Sequence, residues 1–317
     1  MLPRIPLCIL PTPCHILPNL TQKLGSEIWI KRDDLTGFAG GGNKGRKLEF
    51  LLAEAVNIRA TAIVSCGATQ SNFIRQLGAA AITQGIKTHV ASMHAPFEIP
   101  DRKPNGTLSH GGNPQLDSLF QIQRHHFADG TWDELESHAD QIQRDLESQG
   151  ETVFRIPIGG SSPTSVHAFV LAAQELTQSF DLIITASSSG STHMGLAHAF
   201  AGSNTKILGI SADPDPELLD DLVSLSESYA QDFASTPIPK TKINFSLDFV
   251  GPGYGVPSPD GIQAQMTLAQ TEGILLDPIY SAKAFAALLD LAHRKQLPPK
   301  TLFWHTGGLP TLFAHRA

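Results

Sequence analysis

Residues 61–93 read Thr61-Ala-Ile-Val-Ser-Cys-Gly-Ala-Thr-Gln70-Ser-Asn-Phe-Ile-Arg-Gln-Leu-Gly-Ala-Ala80-Ala-Ile-Thr-Gln-Gly-Ile-Lys87-Thr-His-Val-Ala-Ser-Met93. Thr61–Ser65 is a short apolar run of strand type, buried on both sides. Asn72–Gln84 carries apolar residues at helical spacing and stops at Gly85. Lys87–Met93 is a second strand. Strand, helix and strand in this order make a βαβ unit, whose two strands lie parallel in one sheet.

The same alternation extends both ways. Residues 27–32 alternate like a strand, and Leu48, Leu51, Leu52, Ala55 and Val56 give the stretch 47–56 a helical face. Residues 94–131, broken by Pro96, Pro100, Pro104 and Pro114, read as a surface excursion with a short helix at 115–125. A helix at 132–149 and a strand at 152–157 follow. A second series starts after Gly159-Gly160, with strand 181–186, helix 192–201, strand 206–212 and helix 214–232. The stretch Gly251-Pro-Gly-Tyr-Gly-Val-Pro-Ser-Pro-Asp-Gly261 can only be a shaped loop. Helices at 261–271 and 281–296 precede a last strand at 301–305. Two such series imply two α/β lobes of mainly parallel sheet, with ligands at the carboxyl ends of the strands.

Composition narrows the function. The chain has 317 residues, 41% hydrophobic and 17% charged, which is enough to bury a core without disulfides. A net charge of −7 and the lack of any basic stripe argue against a nucleic-acid partner. The three cysteines, Cys8, Cys14 and Cys66, are scattered and suit a reducing cytoplasm. No apolar run approaches the ~20 residues of a membrane helix, and prolines interrupt the apolar N-terminus, so neither a span nor a signal peptide is expected. The thirteen histidines show no metal-binding spacing, and no metal is expected.

Chemistry concentrates at Gly40-Gly-Gly-Asn43-Lys44-Gly-Arg-Lys47-Leu-Glu-Phe50. Three glycines let backbone approach a ligand closely. A lysine there is partly desolvated and has other cations nearby, and both effects make its amine a nucleophile toward carbonyl groups. Ser187-Ser-Ser189-Gly190-Ser191-Thr192 follows a strand and opens a helix. Backbone N–H groups and hydroxyls so placed suit a phosphate, although Ser and Thr are also ordinary helix caps. No Gly-Lys-Ser/Thr ending and no Gly-x-Gly-x-x-Gly turn occurs, so neither a P-loop nor a dinucleotide is supported. Ser71, in Gln70-Ser71-Asn72, reads either as the cap of the following helix or, with Asn72, as a cleft residue. Two of the three tyrosines, Tyr254 and Tyr280, stand in loops of the second series.

Taken together, these segments resemble the D-cysteine desulfhydrase and 1-aminocyclopropane-1-carboxylate (ACC) deaminase group. The resemblance is carried by Gly41-Gly-Asn-Lys44-x-Arg46-Lys47-Leu-Glu-Phe50, Gln70-Ser-Asn72, Gly190-Ser-Thr-His193, Gly251-Pro-Gly-Tyr254-Gly-Val-Pro257, Leu276-Asp-Pro-x-Tyr280 and His305-Thr-Gly-Gly308, in order along nearly the whole chain. Pro11-Thr-Pro13 and Ile30-Lys-Arg-Asp-Asp34 also fit, and residues 94–131 match least. The resemblance implies pyridoxal 5'-phosphate and the two-domain tryptophan-synthase-β fold (fold type II). Residues 1–46 with 160–317 would form the large cofactor-binding domain and 47–159 the small one. It also implies a homodimer.

By the same resemblance Lys44 would hold the cofactor as a Schiff base. Lys47 and the loop Ser189-Gly190-Ser191-Thr192 would hold its phosphate, and Asn72 would bond the ring's 3-oxygen. Tyr280 would pack on the ring and Thr306 would face the ring nitrogen. Asn43, Gln70, Ser71, Asn72 and Tyr254 would meet a small amino-acid substrate, with Lys44 or Ser71 taking its α-proton. Lys44, Ser71, Tyr254 and Tyr280 are the catalytic candidates. The deaminase pattern has Glu after the ring tyrosine and Leu before the final Gly-Gly; here Ser281 and Thr306 occupy those places. Hydroxyls there resemble the desulfhydrase pattern and imply a β-eliminating lyase releasing hydrogen sulfide from D-cysteine. ACC deamination, elimination from L-cysteate or chloroalanine, and a cofactor-binding protein without turnover are the alternatives. Two positions depart from the pattern. Gly45 stands where the family has a larger residue, and Ser189 where it has a small apolar one.

Overall fold

The computed structural model describes residues 2–97 and 105–316. The chain opens with β1 (Cys14–Ile16), α1 (Pro18–Leu24), β2 (Glu27–Arg32) and α2 (Lys44–Asn57). It continues through β3 (Ala62–Ala68), α3 (Asn72–Ile82), β4 (Lys87–Met93), β5 (His110–Gly111), α4 (Asn113–Leu119), β6 (Gln123–His126), α5 (Trp132–Ser148) and β7 (Val153–Arg155). Then come α6 (Pro163–Ala173), β8 (Leu182–Ser187), α7 (Ser191–Ala199), β9 (Lys206–Ser211), α8 (Leu218–Asp232) and β10 (Asn244–Ser246). The chain ends with α9 (Pro259–Glu272), α10 (Ser281–His293), β11 (Lys300–His305) and β12 (Ala314–His315).

Six strands form one sheet in the order β1-β2-β11-β8-β9-β10, parallel throughout except for β1 against β2. Four form a second, wholly parallel sheet, β6-β4-β3-β7. Both are covered on two faces, as parallel sheets require. In the larger sheet Phe303 turns toward α9 and α10, while its neighbours Leu302 and Trp304 turn toward α6. In the smaller one Ile63 and Val90 face α2 and α3, whereas Val64 and Ala91 face α5.

The βαβ reading of 61–93 matches β3, α3 and β4, but elsewhere the structure departs from the sequence reading. The helix expected at 115–125 ends at Leu119; Gln121 takes a positive φ of 56°, and the chain then enters strand β6. That edge strand is Gln-Arg-His-His, with no apolar alternation to announce it. α6, which sequence periodicity leaves unassigned, packs on both α2 and α7 and so lacks a single apolar stripe. Part of the 94–131 excursion, residues 98–104, lies outside the described residues. The rest is tied down: Leu108 N–H donates to the Gly255 carbonyl at 3.1 Å and β5 pairs with β12.

α2 is fixed at both flanks. On one side a buried ionic network holds it to the larger sheet. Arg46 donates to Asp33 at 2.7 and 2.9 Å and to Glu175 at 2.7 and 2.9 Å. Asp33 also accepts from Thr12 at 2.8 Å and from the Trp304 indole at 2.8 Å, and Glu175 accepts from Lys31 at 2.6 Å. On the other side the N-terminal segment lies along the helix. Leu7 and Cys8 N–H groups donate to the Glu49 carboxylate at 2.8 and 2.9 Å. A Cβ on Gly45 would stand 2.4 Å from the Cys8 sulfur, so the thiol occupies the space a larger residue at 45 would need.

Removing one partner of a buried pair strands the other charge. Arg46→Met leaves Asp33, with a fully buried side chain, uncompensated. The expected cost is about 3–5 kcal/mol of unfolding free energy, read from urea denaturation. A loss below about 1 kcal/mol would mean that the network contributes packing and little charge compensation.

Candidate active site

The carboxyl ends of β3, β8 and β11 surround a cavity of about 430 Å³. Asn43 and Lys44 line it from the start of α2, Ser71 and Asn72 from the start of α3, and Ser188 and Ser189 from the turn after β8. Tyr254, Tyr280, Thr306 and Gly307 complete the inner wall, and Trp132, Asp133, Glu136 and Asp221 stand among the other lining residues.

The backbone delivers Lys44 by close packing. Gly41 has φ +77°, and a Cβ there would lie 2.0 Å from the Asp34 carbonyl oxygen. The next link is a hydrogen bond from Asn43 N–H to the Thr306 carbonyl at 3.0 Å. α2 can then begin at Lys44 itself, earlier than the apolar periodicity shows. Asn43 does not cap the helix with its side chain. Its carboxamide donates to Thr192 Oγ1 at 2.9 Å, tying the lysine loop to the turn after β8. Burial pushes the Lys44 amine down from 10.5 to about 8, against the opposing pull of Asp277.

Lys47 lies one turn further along α2. It is fully buried, and its Nζ donates to Ser191 Oγ at a long 3.4 Å. Burial, and then the neighbouring Lys44 charge, hold it well below its ordinary value. Among the described residues no carboxylate pairs with it. The helix it points at, α7, starts at Gly190 in the left-handed conformation, and no side chain caps it. The hydroxyls of 187–192 therefore do not serve as its N-cap. Helix N-terminal N–H groups and a lysine converge where a phosphate would satisfy both. The residues present fit the phosphate of the expected cofactor.

Ser71 caps α3, accepting from Ile74 N–H at 3.2 Å, and lines the cavity at the same time. The cap and cleft readings of this serine therefore coexist. The carbonyl oxygen of Asn72 accepts from Arg75 at 2.6 Å and from Asn113 at 3.1 Å, which leaves its amide nitrogen as the donor available to the cavity. Gln70 stands outside the cavity wall; its carboxamide accepts from Asn113 N–H at 3.0 Å and donates to the Gly111 carbonyl at 3.0 Å. Gly190, Ser191, Thr192 and Lys47 sit behind the wall formed by Ser188, Ser189 and Lys44.

On the opposite side the phenol oxygens of Tyr254 and Tyr280 hydrogen-bond each other, with rings edge to face at 6.0 Å. Burial raises both phenols above their ordinary value, so both stay protonated at neutral pH. Asp277 sets Tyr280, its carboxylate accepting from the N–H groups of Ile279, Tyr280 and Ser281 at 2.9, 2.7 and 2.8 Å. Ser281 is turned away from the cavity, its hydroxyl donating to Asp277 at 2.5 Å. Of the two positions separating the deaminase and desulfhydrase patterns, only Thr306 reaches the cavity wall.

A lysine amine of lowered pKa, an anion cradle behind it, an amide donor and two phenols thus face one space. Residues 5–307 match the family described as pyridoxal-phosphate dependent enzyme. The chain belongs to this family. Within the pyridoxal-phosphate-dependent enzymes it is similar to D-cysteine desulfhydrase of Klebsiella pneumoniae subsp. pneumoniae, with 38% identity over 99% of this chain and 96% of the relative. D-cysteine desulfhydrase of Salmonella paratyphi B is 36% identical over the same shares. A solved structure described as an ACC deaminase homologue superposes with a TM-score of 0.88 at 32% identity, covering 98% of this chain and 94% of that one.

Four contributors to this cavity carry no role in the sequence reading. Asp277 anchors Tyr280; Arg75 and Asn113 orient Asn72; Trp132 closes the wall beside Tyr254, ring centroids 5.4 Å apart. Asp277 stood inside a quoted motif, and its position just before a helix start was the available signal. Arg75 and Asn113 meet only through tertiary packing.

An amine reacts with an aldehyde only when unprotonated. Attachment of pyridoxal phosphate to the cofactor-free chain, fixed by borohydride and counted by mass, should rise with pH through about 8, the value to which Lys44 is lowered. A rise confined to pH above 10 would contradict that environment for Lys44. Lys47→Met should weaken cofactor retention about tenfold to a hundredfold in equilibrium dialysis, the scale of one charged hydrogen bond, while leaving Lys44 open to the label.

Proposed function

We propose that this enzyme is a β-eliminating carbon–sulfur lyase that converts D-cysteine and water to pyruvate, hydrogen sulfide and ammonia. Lys47 and the 189–192 turn would hold the cofactor's phosphate, and the cofactor would supply a sink for the electrons of the broken α-C–H bond. The chain's own groups do the rest. Lys44 would hold the cofactor and, on release, would be the base placed to take the α-proton. Ser71, at the N-terminus of α3, receives the substrate carboxylate where the helix end favours negative charge, and Asn43 stands beside it. Asn72 would donate to the ring oxygen. Tyr280 would lie against the ring, and the protonated Tyr254–Tyr280 pair would offer a proton to the departing sulfur. Gln70 supports this wall from behind.

The observation that carries the choice of substrate is Thr306 in the cavity wall. A neutral hydroxyl facing the ring nitrogen favours its protonation less than a carboxylate would. That suffices where hydrosulfide is a good leaving group, and suits cyclopropane opening poorly. The two D-cysteine desulfhydrases similar over full length support the same reading. The ACC deaminase homologue supports the runner-up, ACC deamination. Retention of Lys44, Ser71, Tyr254 and Tyr280 in one cavity weighs against a binding protein without turnover.

We also read residues 1–46 with 160–317 as the large domain and 47–159 as the small one, each built on one of the two parallel sheets. The family resemblance supports a homodimer. No helix among the described residues is long and apolar enough to cross a membrane, and the scattered cysteines support a cytoplasmic setting.

A panel of D- and L-cysteine, ACC, L-cysteate and D-serine, read as pyruvate or 2-oxobutyrate, tests the reading. D-cysteine should give the highest kcat/KM. Faster release of 2-oxobutyrate from ACC would sink it. Ser71→Ala should lower kcat/KM on D-cysteine by about 10²–10⁴, the range for a group that binds and assists proton transfer.

A further inference from the structure

Lys283 lies on α10, three residues past Tyr280, with no solvent exposure. Its Nζ donates to the Gly253 carbonyl at 3.0 Å and to the Ala212 carbonyl at 3.3 Å. No ion pair within 4.0 Å holds it among the described residues. Burying an amine this way is costly, and an apolar side chain of similar volume is often the more stable choice. The site beside it explains why an amine is kept.

Gly253 immediately precedes Tyr254, in a loop where Gly251, Gly253 and Gly255 all take positive φ and Pro252 and Pro257 offer no N–H. Regular pairing cannot hold such a backbone. Ala212 immediately precedes Asp213, whose carboxylate accepts from the Trp132 indole at 2.9 Å. Trp132 in turn stands edge-on to Tyr254. The ammonium thus grips the backbone of Tyr254 directly and the strand end that carries the partner of its aromatic neighbour. Ala212, Tyr254 and Ile279 share one buried cluster.

We infer that Lys283 is a positioning residue for the reaction: it clamps the two carbonyls that set where the Tyr254 phenol stands against Tyr280 in the cavity. The kinetic arm of this inference rests on the proposed D-cysteine reaction; the structural arm does not. Desolvation lowers the lysine to about 8, and Asp213 and Asp277 oppose that shift.

The test is Lys283→Met, with Tyr254→Phe and the double variant. Hydrogen–deuterium exchange of residues 249–256 should speed up about tenfold in the Met variant, with or without cofactor, while α9 and the four-stranded sheet stay unchanged. Borohydride labelling of Lys44 should be retained. With D-cysteine, kcat should fall about 10–100-fold and KM change less than about threefold, the scale of a misplaced catalytic group. In the Tyr254→Phe background the same change should cost less than about threefold, because both act through one phenol. Unchanged exchange at 249–256, exchange raised everywhere, or fully additive kinetic losses would overturn the inference. Should the Met variant fail to fold, Lys283→Gln, which keeps one donor without the charge, is expected to show smaller shifts of the same kind, and their absence overturns it equally. No pyruvate from D-cysteine with the unmodified enzyme would sink the substrate reading, leaving the exchange measurement to decide on Lys283.

Discussion

The buried ion network of Arg46 with Asp33 and Glu175 is the constraint on which the site depends. Arg46 belongs to the helix that Lys44 opens, whereas Asp33 follows β2 and Glu175 follows α6. The network therefore fixes the lysine helix against the larger sheet, while the apolar face of that same helix belongs to the core of the smaller sheet. One helix serves two sheets, and the Lys44 amine sits at its first residue. Together with the bonds of Glu49 and Asn43, these charges set the rotation of α2 about its axis, where apolar packing alone tolerates sliding.

From that starting point the division of labour follows the topology. Parallel strands end on the same side, so each βα turn presents the start of a helix to one common space. β3 contributes Ser71 and Asn72, β8 contributes the anion cradle, and β11 contributes Thr306. The tyrosine wall is different. Its two members come from irregular backbone before α9 and α10, which must be held by other means: the Asp277 carboxylate in one case and the Lys283 ammonium in the other. Regular elements hold the lysine end of the cavity, and side chains acting on backbone hold the tyrosine end.

Much of this was legible in the sequence because it is local. Strand–helix alternation, the glycines before Lys44 and the hydroxyl-rich turn at 187–192 are patterns over a few residues, and each maps onto a βα turn. What escaped was non-local. β6 pairs through its backbone with side chains that carry no pattern, and α6 is covered on more than one side and shows no stripe. Gln70 sits inside a motif and Ser281 just after one, yet their side chains turn toward Asn113 and Asp277, a choice made by partners remote in sequence or by a local carboxylate trap. A motif names the residues of a turn; it does not say which of them face the ligand.

The contact between Cys8 and Gly45 has a consequence of another kind. The sulfur fills the space that a side chain at 45 would claim, so the two positions share one volume at the base of the lysine helix. Neither residue can drift alone: a bulkier group at 45 demands a smaller one at 8, and a smaller residue at 8 opens a void beside the first turn of α2. In the history of the family such positions should change as a couple, with their summed size conserved and their identities free.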